Sequence, residues 1–331
     1  MNTDINYGNK SVLITGGAGF IGSRIALKLQ KNYPTCKITI FDYFNSRLNF
    51  KNGTNYIPLG HYNNIIDFNG KIICGDINNE NDLNSLKEIK WDVIFHQAAI
   101  SDTTVIDQNL VLSTNFNSFN FFVDLAKKQN CQLIYASSAG VYGNTLSPNI
   151  VGKGEIPENV YGFSKLMMDN DTVNSLIQNP SLKIIGLRYF NVYGPGEYYK
   201  NRTASMVLQM GLDMLNTGSV SLFKFGEQSR DFVYIEDVVD ANINAIGKKS
   251  GIYNIGSGCS NNYNELAEVL SDSLSLKFKI NYIDNPYKFF QQNTQADISE
   301  TIKNLDYLPK YNLEKGIKDY SITIRNIFNS K

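Results

Sequence analysis

The first half of the chain alternates between short apolar runs and longer amphipathic stretches. Ser11–Thr15 is a β-type run that ends at glycines, and residues 20–31 then carry Ile21, Ile25 and Leu29 four apart, the spacing of one helix face. Further apolar runs follow at 37–41, 71–74, 93–95, 132–135 and 182–187. Short apolar strands separated by helices are typical of a parallel sheet covered on both faces. The pattern therefore predicts a doubly wound α/β fold.

The second half of the chain has a less regular pattern. Strand–helix units recur at 230–245 and from 251, but loops rich in Gly, Pro, Asn and Tyr interrupt them at 191–201 and 281–294. We interpret this as a smaller α/β domain interleaved with the larger sheet domain. The predicted larger domain takes residues 1–189, 231–260 and 294–310, and the smaller one takes 190–230, 261–293 and 311–331.

A glycine-rich turn separates the first predicted strand from the first predicted helix. Its spacing, Gly16-x-x-Gly19-x-x-Gly22, is a variant of the dinucleotide-binding fingerprint. Glycine permits a tight turn and a close approach of the backbone to a pyrophosphate, which the amides of the helix N-terminus bind. The strand before the turn and the helix after it are the context that the motif requires. The turn therefore predicts a dinucleotide site.

Acidic residues follow the next two predicted strands. Asp42 ends the second strand, where a carboxylate can bind the adenosine ribose, and this favours NAD. Arg24 and Arg47 lie nearby in the sequence and are either solvated charges or contacts for the 2′-phosphate of NADP. Asp76 and Ile77 follow the third strand and are compatible with an adenine contact, although Asp76 is equally suited to cap a helix. NAD and NADP therefore both stay open.

A candidate catalytic group begins a helix in the middle of the chain. Tyr161 and Lys165 lie on one face of that helix, at i and i+4. A free phenol has a pKa of about 10 and is a poor base at pH 7, so we expect the Lys165 ammonium to lower the pKa of Tyr161. Ser138 ends a strand, which places its hydroxyl at the carboxyl edge of the sheet, where ligands bind. Together these groups suit the acid/base chemistry of alcohol oxidation.

Composition narrows the chemistry further. The 331 residues include 31 Lys and Arg, 31 Asp and Glu, 20 Tyr and 2 His. Zero net charge gives no general attraction to nucleic acid or to an anionic membrane, so neither is an expected partner. His61 and His96 are too few for a multi-His site, and no metal is predicted. His96 reads as a packing residue, His61 has no visible partner in the sequence, and proton transfer is expected to rest on tyrosine.

Cysteine spacing and the N-terminus bear on location. Cys36, Cys74, Cys131 and Cys259 form no Cys-x-x-Cys pair, which argues against a disulfide framework and for a reducing compartment. Residues 1–10 are polar and contain no apolar signal-peptide core. No apolar run approaches the roughly 18 residues that cross a bilayer. We therefore expect a cytoplasmic protein.

These motifs, from about Ser11 to the end of the chain, resemble the extended short-chain dehydrogenase/reductase superfamily. Within it, the segments 95–104, 188–195, 230–234 and 294–297 resemble the enzymes that epimerise C6 of nucleotide-diphosphate heptoses. The resemblance implies a Rossmann domain, a smaller substrate-binding domain and a Ser–Tyr–Lys triad of Ser138, Tyr161 and Lys165. It also implies a bound NAD(P), with NADP as our prediction and NAD as the alternative. A homo-oligomer, typically a pentamer, is implied as well.

The site residues implied by the motifs and the resemblance fall into two sets. The predicted cofactor contacts are Gly16, Gly19, Phe20, Ile21, Gly22, Asp42, Tyr43, Arg47, Asp76, Ile77, Gln97, Ala98, Ala99, Ile100, Ser101, Asn115, Tyr161, Lys165, Val192 and Lys200. The predicted substrate contacts are Ser101, Ser138, Asn191, Arg202, Gln209, Phe223, Arg230 and Phe290.

The resemblance also implies the reaction. The C6 hydroxyl of the heptose is oxidised to a ketone, which reorients and is reduced from the other face, with Tyr161 and Lys200 as the two acid/base groups. Arg230 is expected to pair with the diphosphate. Arg202 replaces an expected serine, Gln209 a histidine and Phe290 a tyrosine, and the stretch 223–230 is one residue short. These departures lie in the substrate-binding part, so ADP and GDP both stay open as the nucleotide.

Two other functions stay open from the sequence. One is a different nucleotide-sugar epimerase or a dehydratase of the same superfamily, although the Ser138-Ala139-Gly140 segment lacks the acidic pair that a 4,6-dehydratase usually carries. The other is a cofactor-sensing scaffold that has lost catalysis, against which the intact Ser138, Tyr161 and Lys165 argue.

Overall fold

The computed structural model describes residues 6–44, 48–49, 55–56, 60–285 and 291–330. Short 3-10 turns occur at Tyr62–Ile65, Ala139–Tyr142 and Tyr198–Thr203. The strands are β1 (Ser11–Thr15), β2 (Lys37–Asp42), β3 (Leu48–Asn49), β4 (Asn55–Tyr56), β5 (Lys71–Cys74), β6 (Val93–His96), β7 (Gln132–Ser138), β8 (Ile184–Tyr189), β9 (Asn191–Tyr193), β10 (Ser219–Phe223), β11 (Ser229–Arg230), β12 (Phe232–Tyr234), β13 (Gly251–Ile255), β14 (Asn261–Asn262) and β15 (Lys279–Ile283). The helices are α1 (Phe20–Asn32), α2 (Glu80–Lys87), α3 (Gln108–Leu112), α4 (Ser118–Gln129), α5 (Val160–Gln178), α6 (Met206–Thr217), α7 (Ile235–Asn244), α8 (Tyr263–Ser273), α9 (Ser299–Leu305) and α10 (Leu313–Asn329), and a π-helical turn, Ser113–Asn117, joins α3 to α4.

Seven parallel strands form the central sheet, in the order β5-β2-β1-β6-β7-β8-β13. From β1 the chain builds outwards through β2 to β5 and then returns to the other side of β1 with β6. The carboxyl ends of β1 and β6 therefore flank a topological switch point, where a crevice opens in folds of this type. The predicted doubly wound α/β fold is confirmed.

The side chains of each central strand point alternately into two cores. Leu13 and Ile94 face a core that includes Phe119 and Phe122 of α4, whereas Val12 and its alternate neighbours face the core on the α1 and α7 side. All these side chains are buried. Burial on both faces explains the unbroken apolar runs of the inner strands, whereas the edge strand β5 is largely exposed.

The smaller part of the molecule packs beside this sheet. The strands β10 and β15 pair in parallel, and the helices α6, α8 and α10 pack against one another next to them. The strands β9 and β12 form a second parallel pair, in which Val192 lies opposite Val233. Both β9 and β15 lie in stretches expected to be loops, because their pairing partners are distant in sequence. The boundaries of the two domains stay a prediction.

A buried ion pair joins α5 to the sheet behind the carboxyl end of β7. The Nε of Arg188 lies 2.7 Å from an Asp169 oxygen, and both side chains are only 2% exposed. The hydroxyl groups of Tyr135 and Ser137 also donate to Asp169, at 2.7 and 2.9 Å. Glu155 pairs with the same guanidinium. The network leaves no charge here without a partner.

Replacement of Asp169 by Ala should destabilise the fold strongly. It would leave the Arg188 guanidinium buried beside one carboxylate instead of two, and breaking a buried pair typically costs about 3–5 kcal/mol. Urea unfolding followed by circular dichroism measures the loss. Glu300→Ala is the control, because the Glu300–Lys303 pair is exposed and should leave the midpoint unchanged. Equal midpoints for both variants would contradict the assigned role of the network.

Candidate active site

A cavity of about 720 Å³ lies at the carboxyl edge of the sheet. The glycine turn forms one end of it, the ends of β6 and β7 form its floor, and the loops after β8 and β9 form the far wall. Its place outside the β1–β6 switch point is where doubly wound folds bind nucleotides. Its size is within the usual range of small-molecule sites.

The glycine turn is shaped by close backbone packing. A Cβ on Gly22 would lie 2.3 Å from the Gly16 carbonyl oxygen, and Gly16 itself has a φ of +65° and packs against the Ala98 backbone. No side chain caps the N-terminus of α1, and its first turn contains no acidic residue. The free amides at this end of α1 therefore suit a pyrophosphate, and the turn fits the dinucleotide that its sequence predicts.

Asp42 closes the adenosine end of the cavity. One of its oxygens accepts a hydrogen bond from the Ala18 amide at 2.9 Å and the other from the Tyr43 amide at 2.8 Å. Burial raises the pKa of Asp42, while these amide donors lower it. Arg24 is engaged elsewhere, because its guanidinium lies 2.9 Å from Glu236. Arg47, the other candidate for a 2′-phosphate, lies outside the described residues.

Ser138, Tyr161 and Lys165 converge at the centre of the cavity. Ser138 ends β7, and its hydroxyl accepts a hydrogen bond from the Gly140 amide at 3.0 Å. The helix α5 begins at the Asn159 cap, which places Tyr161 and Lys165 in its first two turns. The ammonium of Lys165 donates to the Ala136 carbonyl at 2.7 Å and lies 6.0 Å from the centre of the Tyr161 ring. The sheet and one helix thus bring the predicted triad together.

The electrostatics of the triad differ from the expectation in one respect. Burial raises the pKa of Tyr161, and its hydrogen bond with Ser138 lowers it. Lys165 does not depress the phenol, because its ammonium is directed at the Ala136 carbonyl instead. Burial also lowers the pKa of Lys165 to about 8, against the opposing effect of Asp169. The cavity thus disfavours charge on both groups.

Lys200 reaches the same cavity from a different part of the chain, the turn between β9 and α6. It belongs to the 3-10 turn Tyr198–Thr203, and its Nζ lies 5.4 Å from the centre of the Phe20 ring at the start of α1. Burial lowers the pKa of Lys200, while the Glu197 carboxylate raises it. A second amine of lowered basicity therefore faces the cavity, on an element separate from α5.

Most of the predicted cofactor residues line this cavity. Asn115 lies behind it instead, where its side chain pairs with the Ile100 backbone and with Ser164. The predicted residues among the cavity lining are Gly16, Gly19, Phe20, Ile21, Gly22, Asp42, Tyr43, Asp76, Ile77, Gln97, Ala98, Ala99, Ile100, Ser101, Ser138, Tyr161, Lys165, Val192 and Lys200.

Five of the predicted substrate residues, Asn191, Arg202, Gln209, Phe223 and Arg230, are not among the residues that line the cavity. Arg202 pairs with Asp102 at 2.9 Å, and the amide nitrogen of Gln209 donates to the Ala204 carbonyl at 2.6 Å. Arg230 is buried, with its guanidinium 2.8 Å from the Ser229 carbonyl. Asn191 begins β9 and Phe223 ends β10. Phe290 lies outside the described residues.

His61 has a partner that the sequence did not reveal. Its ring stacks on Tyr199, with centroids 3.6 Å apart and planes 2° from parallel. The Asn63 amide group donates to the Tyr199 hydroxyl at 2.6 Å, and the His61 backbone donates to the Ala18 carbonyl at 3.0 Å. The glycine turn and the Lys200 turn are therefore joined through His61. No signal in a single sequence links residues so far apart.

His96 is a packing residue, as expected. Its Nδ1 lies 2.8 Å from the Thr15 hydroxyl and bridges β6 to β1. Its ring stacks on Phe122, with centroids 4.3 Å apart, and is buried. Burial, together with a smaller effect of Lys165, lowers the pKa of His96 to about 3, so the ring is neutral near pH 7.

Comparison with known proteins agrees with this geometry. Residues 12–256 match the model of the NAD dependent epimerase/dehydratase family. The chain belongs to this family. Its structure resembles the ADP-L-glycero-D-manno-heptose-6-epimerase of Helicobacter pylori, with 48% identity over 97% of this chain and 98% of that one and a TM-score of 0.89.

Two more distant members of the epimerase/dehydratase family show the same fold. The UDP-glucose 4-epimerase of Thermotoga maritima, solved with UDP-glucose, has 27% identity, covers 96% of this chain and 99% of its own, and gives a TM-score of 0.82. The dTDP-glucose 4,6-dehydratase of Bacillus anthracis, solved with NAD, has 25% identity and a TM-score of 0.80, with 96% and 97% covered. Nucleotide sugars and a nicotinamide cofactor thus occur among the structures that this chain resembles.

A methyl group at Gly22 should weaken cofactor binding. Because its Cβ would overlap the Gly16 carbonyl, Gly22→Ala must open the turn, and we expect at least about tenfold weaker binding, or about 1.4 kcal/mol. Fluorescence titration with NADPH and NADH measures the affinity. Lys31→Ala is the control, because it changes the exposed last turn of the same helix, away from the glycine turn, and should leave the affinity unchanged. Wild-type affinity in Gly22→Ala would contradict the assigned turn.

Proposed function

We propose that this chain is a nucleotide-diphosphate-heptose 6-epimerase that interconverts ADP-D-glycero- and ADP-L-glycero-D-manno-heptose, in the heptose pathway of the lipopolysaccharide core. The observation that carries the proposal is that Tyr161 and Lys200 face one cavity from two different elements. An epimerase needs acid/base groups for two orientations of one carbon, and two such groups are present. The 48% identity to a heptose 6-epimerase supports the same substrate class.

The chain's own residues would handle the protons of this reaction. When bound, the dinucleotide supplies the hydride acceptor and donor that turn C6 into a ketone and back. Tyr161, once ionised to the phenolate, would take the C6 hydroxyl proton in one orientation of the sugar, and Lys200, as the neutral amine, would take it in the other. Ser138 would hydrogen-bond to the reacting oxygen, since its hydroxyl and that of Tyr161 share a hydrogen bond. Lys165 would orient the nicotinamide ribose.

Other members of the family provide the main alternative, a 4-epimerase or a dehydratase. The residues that follow β7, Ala139 and Gly140, are not the acidic pair that a 4,6-dehydratase usually carries. The UDP-glucose 4-epimerase is less similar, at 27% identity against 48% for the heptose enzyme. Both points favour the heptose reaction. A cofactor-sensing scaffold is disfavoured by the assembled triad and by Lys200.

The choice between NAD and NADP is also part of the proposal. Asp42 at the adenosine end favours the free ribose hydroxyls of NAD, and Arg24 is held by Glu236. NADP stays our prediction, on the resemblance and on Arg47. Mass spectrometry of the cofactor released by acid from the purified enzyme distinguishes the two.

Several expectations from the sequence stay predictions. They are the diphosphate contact of Arg230, the roles of Asn191, Arg202, Gln209, Phe223 and Phe290, and the choice of ADP over GDP. The homo-oligomeric state, the pentamer and the cytoplasmic location are likewise predictions. Among the described residues, no helix is long and apolar enough to cross a membrane.

A substrate panel tests the function directly. The purified enzyme is incubated with ADP-D-glycero-D-manno-heptose, its GDP analogue or UDP-glucose, and the sugars are followed by NMR. We expect a mixture of C6 epimers from the ADP-heptose, no change in UDP-glucose and no net formation of reduced cofactor. Epimerisation of UDP-glucose at C4, loss of water or accumulation of reduced cofactor would contradict the proposal. Bound cofactor with no turnover of any sugar would favour the scaffold.

The two acid/base groups should be separable by mutation. Enzyme with oxidised cofactor is mixed with one pure C6 epimer, and cofactor reduction in a single turnover is followed at about 340 nm. Tyr161→Phe should abolish the transient from one epimer and keep that from the other, and Lys200→Met should show the reverse, because each group serves one orientation. Lys128→Met, on the exposed side of α4, is the control. Loss of both transients in Tyr161→Phe and of neither in Lys200→Met would exclude the two-group mechanism.

A further inference from the structure

The turn that carries Lys200 is built around a buried carboxylate. Glu197 directly precedes the 3-10 turn and is fully buried, with 0% of its surface exposed. Glutamate is almost never buried completely unless it is paired, so its position requires an explanation. No residue motif pointed to it, and the proposed mechanism does not use it.

The Glu197 carboxylate is surrounded by hydrogen-bond donors. One oxygen accepts from the Gly194 amide at 3.1 Å and from the Ser205 hydroxyl at 2.8 Å, and the other accepts from the Ser205 amide. Three donors match an ionised carboxylate and leave little room for a carboxyl proton. Burial raises the pKa of Glu197 above its usual value, although Lys200 and these donors act in the opposite direction.

These contacts fix both ends of the Lys200 segment. Gly194 lies before the turn, and Ser205 caps the N-terminus of α6 after it. The Glu197 carbonyl also accepts a hydrogen bond from the Lys200 amide at 2.9 Å, so the backbone of Lys200 is tied to the same residue. One side chain therefore closes the segment 194–205 into a loop with Lys200 at its middle.

Glu197 is also the charged group that affects the pKa of the Lys200 amine. Its carboxylate raises the pKa of the Lys200 amine, which burial lowers, while the facing Phe20 ring is neutral. Burial and the charge of Glu197 raise the pKa of the Tyr320 phenol on α10, so this phenol is neutral at pH 7. The other titratable groups on or near the cavity wall are Asp42, Tyr43, His61, Asp76, Asp102, Tyr161, Lys165, Tyr189, Tyr198, Tyr199 and Arg202.

We propose that Glu197 is a positioning residue for Lys200: its carboxylate holds the 194–205 loop closed and places a negative charge in the turn from which the Lys200 amine enters the cavity. A neutral amine is needed to take a proton from a substrate hydroxyl, and an ammonium is needed to return it. A lysine that burial alone had made weakly basic would perform the second step poorly. The catalytic consequence rests on the proposed function, but the placement and basicity of Lys200 do not.

Competitive acetylation measures the basicity of Lys200 without any substrate. Purified enzyme with its bound cofactor is exposed to a trace of acetic anhydride at a series of pH values, and labelled peptides are quantified by mass spectrometry, with the exposed Lys128 as the internal reference. Glu197→Gln should move the midpoint of Lys200 labelling about one pH unit lower, because a neutral amide no longer favours the ammonium. Glu197→Asp keeps the charge and should restore the midpoint towards the wild-type value.

Two further variants separate the charge from general damage. Glu268→Gln, at an exposed position of α8, removes a similar charge elsewhere and should leave Lys200 unchanged. Ser205→Ala removes one donor from the carboxylate but keeps its charge, so Lys200 should label faster at fixed pH with the same midpoint. Ser205→Ala tests the positioning role of Glu197 if the Glu197→Gln protein unfolds at too low a temperature for the labelling experiment. Wild-type labelling rate and midpoint in Ser205→Ala would then overturn that role.

The result that overturns the proposal is a folded Glu197→Gln protein whose Lys200 midpoint equals that of the wild type. A shifted midpoint in a protein that turns over none of the sugars would instead keep this inference and refute the proposed reaction. In an active enzyme, the rate of the single-turnover transient that depends on Lys200 should change with pH. In Glu197→Gln, this change should occur at a lower pH than in the wild type. The pH at which the Tyr161-dependent transient changes should be the same as in the wild type.

Discussion

The close approach of two backbones at the β1–β6 switch point determines where the rest of the site lies. Thr15 and His96 are opposite each other at the ends of these parallel strands, and Gly16 packs directly onto the Ala98 backbone. A Cβ on Gly16 would lie 2.7 Å from the Ala98 nitrogen, so a side chain there would force the strand ends apart. This packing aims the start of α1 into the crevice. The ends of β2, β5 and β7 then line the same crevice because their strands run parallel to β1.

The same edge of the sheet also explains the chemistry. Parallel strands bring Ser138 to the crevice, and α5 brings Tyr161 and Lys165 to the same place. Lys200 lies on the turn between β9 and α6, which is linked to the glycine turn through His61 and Tyr199. Each of the two lysines that line the cavity has one buried carboxylate that raises its pKa against the effect of burial, Asp169 for Lys165 and Glu197 for Lys200. Two amines with separately adjusted basicity thus face one cavity.

Local patterns explain how much could be predicted from the sequence. The strands β1 and β5 were predicted to the residue, because each is a short apolar run bounded by glycines or polar residues. The glycine turn and the Tyr161–Lys165 spacing are likewise local, and most of the residues predicted to contact the cofactor line one cavity.

What could not be predicted depends on contacts between distant segments. The strands β9 and β15 form because they pair with β12 and β10. The stack of His61 on Tyr199 likewise joins residues that are far apart in the sequence. The buried Glu197 has no sequence signature, since an isolated glutamate in a Gly/Pro/Tyr loop reads as a solvated charge. The raised pKa of Tyr161 was missed because it depends on burial and on where the Lys165 ammonium points. Spacing alone shows neither.

The most direct test of the account is the fate of the hydrogen at C6. ADP-D-glycero-D-manno-heptose carrying deuterium at C6 is converted in ordinary water, and the product epimer is analysed by NMR and mass spectrometry. If hydride leaves C6 and returns to the other face of the same carbon, the product epimer keeps its deuterium. Loss of the deuterium to solvent, or recovery of the starting epimer alone, would contradict the central claim.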